Sequence, residues 1–259
     1  MTGLVLYEHR PSAVVLTINR AEKRNALNRD LVAALAEAFA RAEADELARC
    51  VILTNAGPTF CSGMDLAELR DTVEQMSGPD QSWEDAVTLA RLYDQIYAMS
   101  KPTIAVVNGA AVAGGAGLVS VCDLAITTPD ARFGYPEVRR GLVAAIVMPH
   151  LLRHVGERMA RYMLLTGELI NGHEAVRCGL VNEVVPTERL LGRAMELAHS
   201  IAEGGPLAVA ATKDLLRRFS THAASVEEAA AASAAPRLGA ECRAGLAAFF
   251  NKKPVPWVK

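Results

Sequence analysis

One charge-free run, from Pro102 to Cys122, constrains this chain more than any other feature. It lies inside a longer stretch from Lys101 to Glu137, KPTIAVVNGAAVAGGAGLVSVCDLAITTPDARFGYPE. A β-type run over 103–107 meets an Asn-Gly turn at Asn108-Gly109. A small-residue segment with Gly114, Gly115 and Gly117 comes next, and then an apolar segment over 118–122 that can start a buried helix. Glycine at a strand-to-helix junction lets a backbone N–H approach a ligand, and the helix dipole favours negative charge there. The stretch closes on Glu137, which Pro136 should fix at the start of a helix or turn. It reads as an anion-holding loop followed by an acid/base group. Three plainer readings compete. The run is long enough to cross a membrane, but alanine and glycine carry little insertion free energy and the Asn-Gly turn interrupts it. It also fits a buried strand and helix with no chemistry. A dinucleotide-binding turn is weakly signalled, because Gly115-x-Gly117 is followed by Ser120 where a third glycine belongs.

The rest of the chain narrows the class. Its 259 residues allow one large domain or two small ones, and 51% hydrophobic content marks a globular chain. The net charge of −2, with no basic block, argues against a nucleic-acid surface. Five cysteines, widely spaced, odd in number and without a CxxC pair, point to a reducing compartment. The N-terminal MTGLVLYEHR lacks a signal or transit pattern, so a cytoplasmic protein is expected. His150 and His154 stand four apart, but no acidic residue completes an HExxH arrangement, and no metal site is expected.

In chain order, short strands are expected at 4–7 and 14–18, with a turn at 10–12. The polar loop NRAEKRNAL at 19–27 carries Lys23 and Arg24, which suit phosphates as well as a plain solvated loop. Asn28 is placed to cap a helix whose core face is Leu31, Leu35, Phe39 and Ala42. A strand at 49–54 leads through Asn-Ala-Gly-Pro to FCSGMDL at 60–66, with a helix beginning near Asp65. This is a second strand-to-glycine-to-helix junction. Two such junctions can aim two backbone N–H groups at one oxygen. The polar segment 71–81 is a lid or loop candidate, followed by a helix over 83–99. Beyond the central stretch, helices are expected at 143–155, 157–165, 174–178 and 187–203, with strands at 124–127 and 180–185. Everything after Pro206 reads helical, with an alanine-rich piece at 226–235 and an amphipathic one at 237–250.

With these pieces in order, the chain resembles the crotonase family, also called the enoyl-CoA hydratase/isomerase superfamily. The resemblance rests on NRAEKRNAL, FCSGMDL, KPTIAVVNGAAVAGGAGL, CDLAI at 122–126, FGYPEVRRGL at 133–142, LTGELINGHEAVRCGLVNEVVP at 165–186 and the tail FFNKKPVPW. It implies an α/β fold, a crotonase-like spiral of ββα units with a helical C-terminal trimerisation region. The spiral core would span 1–200 and the helical region 201–259. It implies an acyl-CoA or enoyl-CoA substrate, no separate cofactor, no membrane or nucleic-acid partner, and a homotrimer or dimer of trimers. The family's oxyanion-hole donors fall on the N–H groups of Met64 and Gly114. Contacts to CoA fall near Lys23, Arg24, Ala26, Ser62, Gly63, Asp65 and Leu66, with Pro136 and Gly117 also at the substrate. Two departures stand out. Gly117 stands where family hydratases usually carry their first catalytic glutamate, Glu137 holding the place of the second. Ala113 takes a place often held by glycine.

A thioester has an acidic α-carbon and an electrophilic β-carbon, and chemistry at either passes through an enolate. Two N–H donors would hold that charge and Glu137 would move the proton. A hydratase-type lyase is expected slightly ahead of an isomerase that uses Glu137 as a single proton shuttle. Gly117 is expected to leave space for a bulky or carboxylated acyl group. A non-catalytic CoA-thioester binder and a nicotinamide-dependent oxidoreductase built on Gly114–Gly117 are the readings from other classes.

Overall fold

The computed structural model describes residues 3–74, 78–220 and 239–258. Among these the strands are β1 (Val5–Arg10), β2 (Ala13–Ile18), β3 (Cys50–Asn55), β4 (Thr103–Val107), β5 (Ala111–Val112), β6 (Leu124–Thr127), β7 (Arg132–Gly134), β8 (Ile170–Asn171) and β9 (Glu183–Val184). A six-stranded sheet runs β1-β2-β3-β4-β6-β9, parallel throughout except for the β1–β2 hairpin. Its inner strands are apolar on both faces, as parallel strands covered on both sides must be. Alternation along each strand divides the side chains between two cores. Val14, Leu16, Val51, Leu53, Ala105 and Val107 face one; Val15, Cys50, Ile52, Ile104, Val106 and Ile126 face the other.

The larger core is closed by α1 (Arg29–Ala44), α3 (Gly78–Ala98), α4 (Gly114–Val121) and α5 (Met148–Thr166). The smaller is closed by α7 (Leu190–Glu203) through Leu190, Ala194 and Ala198. Asn28 caps α1, its side chain accepting from the Leu31 N–H. The expected core face Leu31, Leu35, Phe39 and Ala42 is buried. Two short helices, α2 (Leu66–Val73) and α6 (Gly172–Arg177), complete the spiral, and α8 (Pro206–Phe219) and α9 (Ala240–Phe250) come after it.

A second, smaller ladder explains how distant segments meet. After leaving the main sheet, the chain extends briefly each time and pairs with the previous turn. Leu27 bridges Met64, Cys61 bridges Ala111, and β5 pairs in parallel with β7. Each unit is therefore strand, short extended segment, helix. The site forms where these short segments stack.

Four expectations are corrected. Segment 71–81 is no loop where it is described: α2 runs to Val73, and α3 already starts at Gly78. No helix covers 143–147. Gly141, at φ 70°, turns the chain, and the helix starts only at Met148. Pro149 explains the start, because a residue without an N–H fits only the first turn. The division expected between 155 and 157 is present: Gly156, at φ 68°, leaves the helical conformation and kinks α5 there. Only Glu183 and Val184 of 180–185 pair as a strand, since the N–H groups of Leu180 and Val181 turn back to Ala175 O. The segment 187–203 opens with a 3-10 turn, Thr187–Arg189, before α7. The alanine-rich piece at 226–235 lies outside the described residues. The C-terminal helices are tied to the core: Lys213 pairs with Asp123 at 2.7 Å and bonds Lys101 O, and Arg49 bonds the carbonyls of Gly204 and Trp257.

Candidate active site

The loop after β2 is held by groups whose role the sequence did not announce. Arg20 donates to Asp65 Oδ2 at 2.8 Å and to Ala26 O at 2.9 Å. Asn25 is fully buried at φ 53°. Its amide donates to Ala56 O and Thr59 O, and its Oδ1 accepts from the Arg20 N–H. With Arg20 so engaged, Lys23 and Arg24 remain exposed on the rim, without an ion pair among the described residues.

Met64 sits in a parallel bridge with Leu27. Leu27 takes both bonds of that bridge, its N–H to Gly63 O and its carbonyl from the Asp65 N–H. In such a bridge the flanked residue turns its own N–H to the opposite side. That side holds the second junction. A Cβ built on Gly63 would come within 3.3 Å of Gly114 N and 2.7 Å of Ala113 Cβ. Gly63, at φ 86°, thus lets the two backbones touch. Gly114 is the first residue of α4, so its N–H has no acceptor within the helix. Met64 and Gly114, from distant segments, are therefore brought together on one cleft. Ala113 meets this geometry at φ 53°, ψ −123°, a conformation that suits glycine. Its N–H is tied to Gly134 O at 2.8 Å.

That bond links the second junction to the acid/base group. Gly134 ends β7. Tyr135 is next, and Pro136 opens a 3-10 helix, Pro136–Arg140, with Glu137 in its first turn. Glu137 Oε2 is buried and has no hydrogen-bond partner among the described residues. Burial pushes the carboxyl above its ordinary 4.5, while its own backbone N–H and Arg140 pull the other way. A desolvated carboxylate held ready at a cleft wall is suited to taking and returning a proton near neutral pH.

These groups line one cleft of about 690 Å³. Its lining includes Lys23, Arg24, Ala26, Ser62, Asp65 and Leu66, together with Met64, Gly114, Pro136, Glu137 and the apolar run from Leu142 to Val147. The cleft thus combines basic side chains, the two glycine junctions, a carboxylate and an apolar wall, a lining that suits a ligand with both anionic and apolar parts. An enoyl-CoA hydratase/isomerase family model matches residues 8–259. The chain belongs to this family. A Thermus thermophilus protein is 40% identical to it over 93% of this chain and 95% of its own length. A mevalonyl-coenzyme A hydratase from Aspergillus fumigatus is 33% identical over 95% of this chain and 92% of its own. The crystal structure of an enoyl-CoA hydratase/isomerase from Marinobacter aquaeolei superposes with a TM-score of 0.92. It is 32% identical, and the match covers 99% of each chain. The crotonase fold is thereby established for the chain.

Within this family frame, one sequence-based expectation needs correction, the open space at Gly117. Gly63 and Gly117 do not line the cleft. Gly63 serves the contact between the junctions. Gly117 opens no space for an acyl group, because a Cβ there would meet Val147 Cγ1 at 2.5 Å and Tyr93 Oη at 2.6 Å. The volume beside Gly117 is filled from α3 and the apolar wall. Arg20, Asn25 and Tyr93 escaped the sequence reading. The signal for Tyr93 was present: a tyrosine on the core seam of a helix needs a polar partner for its hydroxyl. Arg20 and Asp65 lie 45 positions apart and gave no such signal.

Proposed function

We propose that this enoyl-CoA hydratase/isomerase family enzyme is a hydratase-type lyase acting on enoyl-CoA thioesters. One observation carries the reading: Glu137, with a buried carboxylate oxygen unpartnered among the described residues, shares its cleft with Met64 and Gly114, whose backbone N–H groups are the proposed oxyanion donors. The thioester oxygen accepts from both N–H groups. Glu137 takes a proton from water as the water oxygen bonds to the β-carbon, and the electron pair of the double bond moves onto the carbonyl as an enolate. The N–H pair stabilises that charge, each donor contributing on the order of 10²–10³ in rate. The protonated Glu137 then returns its proton to the α-carbon, so one water is added and the base is restored. Lys23 and Arg24 meet the phosphates of CoA; Ala26, Ser62, Asp65 and Leu66 line its path. The name of the Aspergillus relative favours hydration. No group beyond the thioester and water is needed. The enzyme would work in the cytoplasm as a trimer or dimer of trimers, a state that sedimentation at several concentrations reads directly.

A second reading, isomerisation, is favoured by a specific feature. Of the cleft-lining carboxylates among the described residues, Glu22 and Asp65 belong to the segments expected to contact CoA, and Tyr93 and Val147 fill the place beside Gly117, which leaves Glu137 as the single base. A single base can shuttle a proton between α- and γ-carbons. Product mass spectrometry on a panel of 2-enoyl- and 3-enoyl-CoA thioesters separates the two. A product heavier by one water, lost in Glu137→Gln, supports the hydratase. A product of unchanged mass with a shifted double bond supports the isomerase. Thioester binding with no turnover anywhere in the panel counts against both.

A further inference from the structure

A tyrosine hydroxyl stands in the space beside Gly117, close to the second oxyanion donor. Tyr93 comes from α3 and is 1% exposed. Its hydroxyl donates to Gly114 O at 2.6 Å. The same oxygen lies 2.6 Å from where a Cβ on Gly117 would project, and 3.1 Å from one on Gly114. The ring is held edge-on to His150 at 6.5 Å between centroids. Burial pushes the Tyr93 phenol up, so it remains an O–H donor.

The turn it touches is the strained one. Ala113, at φ 53° and ψ −123°, stays in place only if its neighbours hold it. It is tied on one side by its N–H to Gly134 O. On the other side, the next residue's carbonyl is tied by Tyr93. We infer that Tyr93 is a positioning residue: its hydroxyl, standing in the space beside Gly117, clamps the Ala113–Gly114 turn so that the Gly114 N–H stays aimed with that of Met64. This rests on the oxyanion-hole reading of the site. Without the Tyr93 bond, the turn keeps only the Ala113 N–H bond to Gly134 O and the Gly117 N–H bond to Ala113 O at 3.0 Å, and the Gly114 N–H drifts from its alignment with that of Met64. The two donors stop acting on one oxygen, although the thioester still binds along the rest of the cleft.

Tyr93→Phe tests this, because it keeps the ring and the core volume and removes only the hydroxyl. The expected result is a kcat lower by about five- to tenfold, the value of one hydrogen bond, with KM within about twofold of wild type. A spectroscopic reading accompanies it. 2,4-Hexadienoyl-CoA carrying ¹³C at the thioester carbonyl is bound to each protein, and the carbonyl stretch is followed by difference Raman. The wild type lowers the stretch relative to free ligand, and Tyr93→Phe gives back part of that shift. An unchanged kcat, or an unchanged stretch, overturns the role of Tyr93. So does a kcat loss that tracks a lowered melting temperature and disappears at a cooler assay temperature. If bound ligand shows no shift even in the wild type, the oxyanion-hole reading itself fails, an outcome distinct from failure of the Tyr93 clamp alone.

Discussion

The junction at 61–66 is charged and partly exposed, whereas the junction at 110–115 is neutral and packed against the core. The first is fixed by polar bonds. Asp65 accepts from the N–H groups of Ala67 and Glu68 to cap α2, and it pairs with Arg20. The second has no charged side chain. It leads into α4, whose residues from Gly115 to Val121 are all buried, and its strained turn is pinned by Gly134 and Tyr93. Each junction contributes one of the two N–H donors of the proposed oxyanion hole. The difference fits the proposed chemistry: Glu137 becomes neutral as it takes the proton, whereas a carboxylate used only to fix a backbone would stay charged and repel a developing enolate. Junction 61–66 should therefore answer to charge removal and acid, and junction 110–115 to added volume.

The largest effect is expected at Glu137, which the Ala113–Gly134 bond couples to the neutral junction. Glu137→Gln should lower kcat by roughly 10²–10⁴, as loss of a general acid/base does. The wild-type kcat/KM should fall on the acid side through a pKa above 4.5, and the variant should lack that limb. Stability should move the other way. A carboxyl whose folded pKa is raised contributes stability only below its ordinary pKa, and that contribution is lost as pH rises through the folded value. Glu137→Gln should then melt higher than wild type at neutral pH, with the gap closing toward pH 4.5. A variant that melts lower at neutral pH would mean that the carboxylate is well solvated.

Volume tests the neutral junction directly. A Cβ on Gly115 would lie 2.2 Å from Cys61 O, a backbone atom that cannot step aside. Gly115→Ala should cost about 3 kcal/mol or more, seen in urea unfolding, and should take activity with it. Charge tests the other junction. Arg20→Gln leaves Asp65 as a cap without its counter-charge. A loss of about 1–2 kcal/mol and a raised KM are expected. Hydrogen bonding from Arg20 holds the Asp65 carboxyl below its ordinary 3.8. That stabilisation is present above pH 3.8 and is lost as pH falls through the lowered folded value. The stability curves of wild type and variant should converge in acid. Parallel curves down to low pH would make Arg20 a packing residue.

The site was readable where chemistry is written in short local patterns. Glycine-rich junctions, Asn28 as a cap and Pro136 before Glu137 each obey backbone rules that act within a few residues. Ten of the twelve residues singled out from the sequence do line the cleft. The failures arose where a partner lies far along the chain. Gly117 suggested open space because glycine has no side chain, but the space belongs to Tyr93 and Val147, one 24 positions before it and the other 30 after. Likewise, the apolar run 143–147 reads as a helix by composition. It becomes a cleft wall because Gly141 turns the chain and Pro149 holds the helix start at Met148. Hydrophobic pattern says that a segment is buried, not what it is buried against.

The smallest effect expected is the most discriminating. Ala113 carries the strain of the neutral junction, and glycine accepts φ 53° without a Cβ penalty. Such a strained position costs of order 1–3 kcal/mol, while glycine in its place loses about 0.5–1 kcal/mol through unfolded-state entropy. Ala113→Gly should therefore gain about 1 kcal/mol, a rise of roughly 2–4 °C in melting temperature. The Ala113 methyl faces Gly63, where a Cβ would lie 2.7 Å from it, so its removal gives up no side-chain contact on that side. Because Gly134 and Tyr93 still hold the turn, kcat should stay within about twofold of wild type. If the variant is less stable, the methyl is a packing element and the junction is not strained there. If it is more stable but its kcat collapses, the alanine itself, and not its two hydrogen-bonded neighbours, keeps the Gly114 N–H on target.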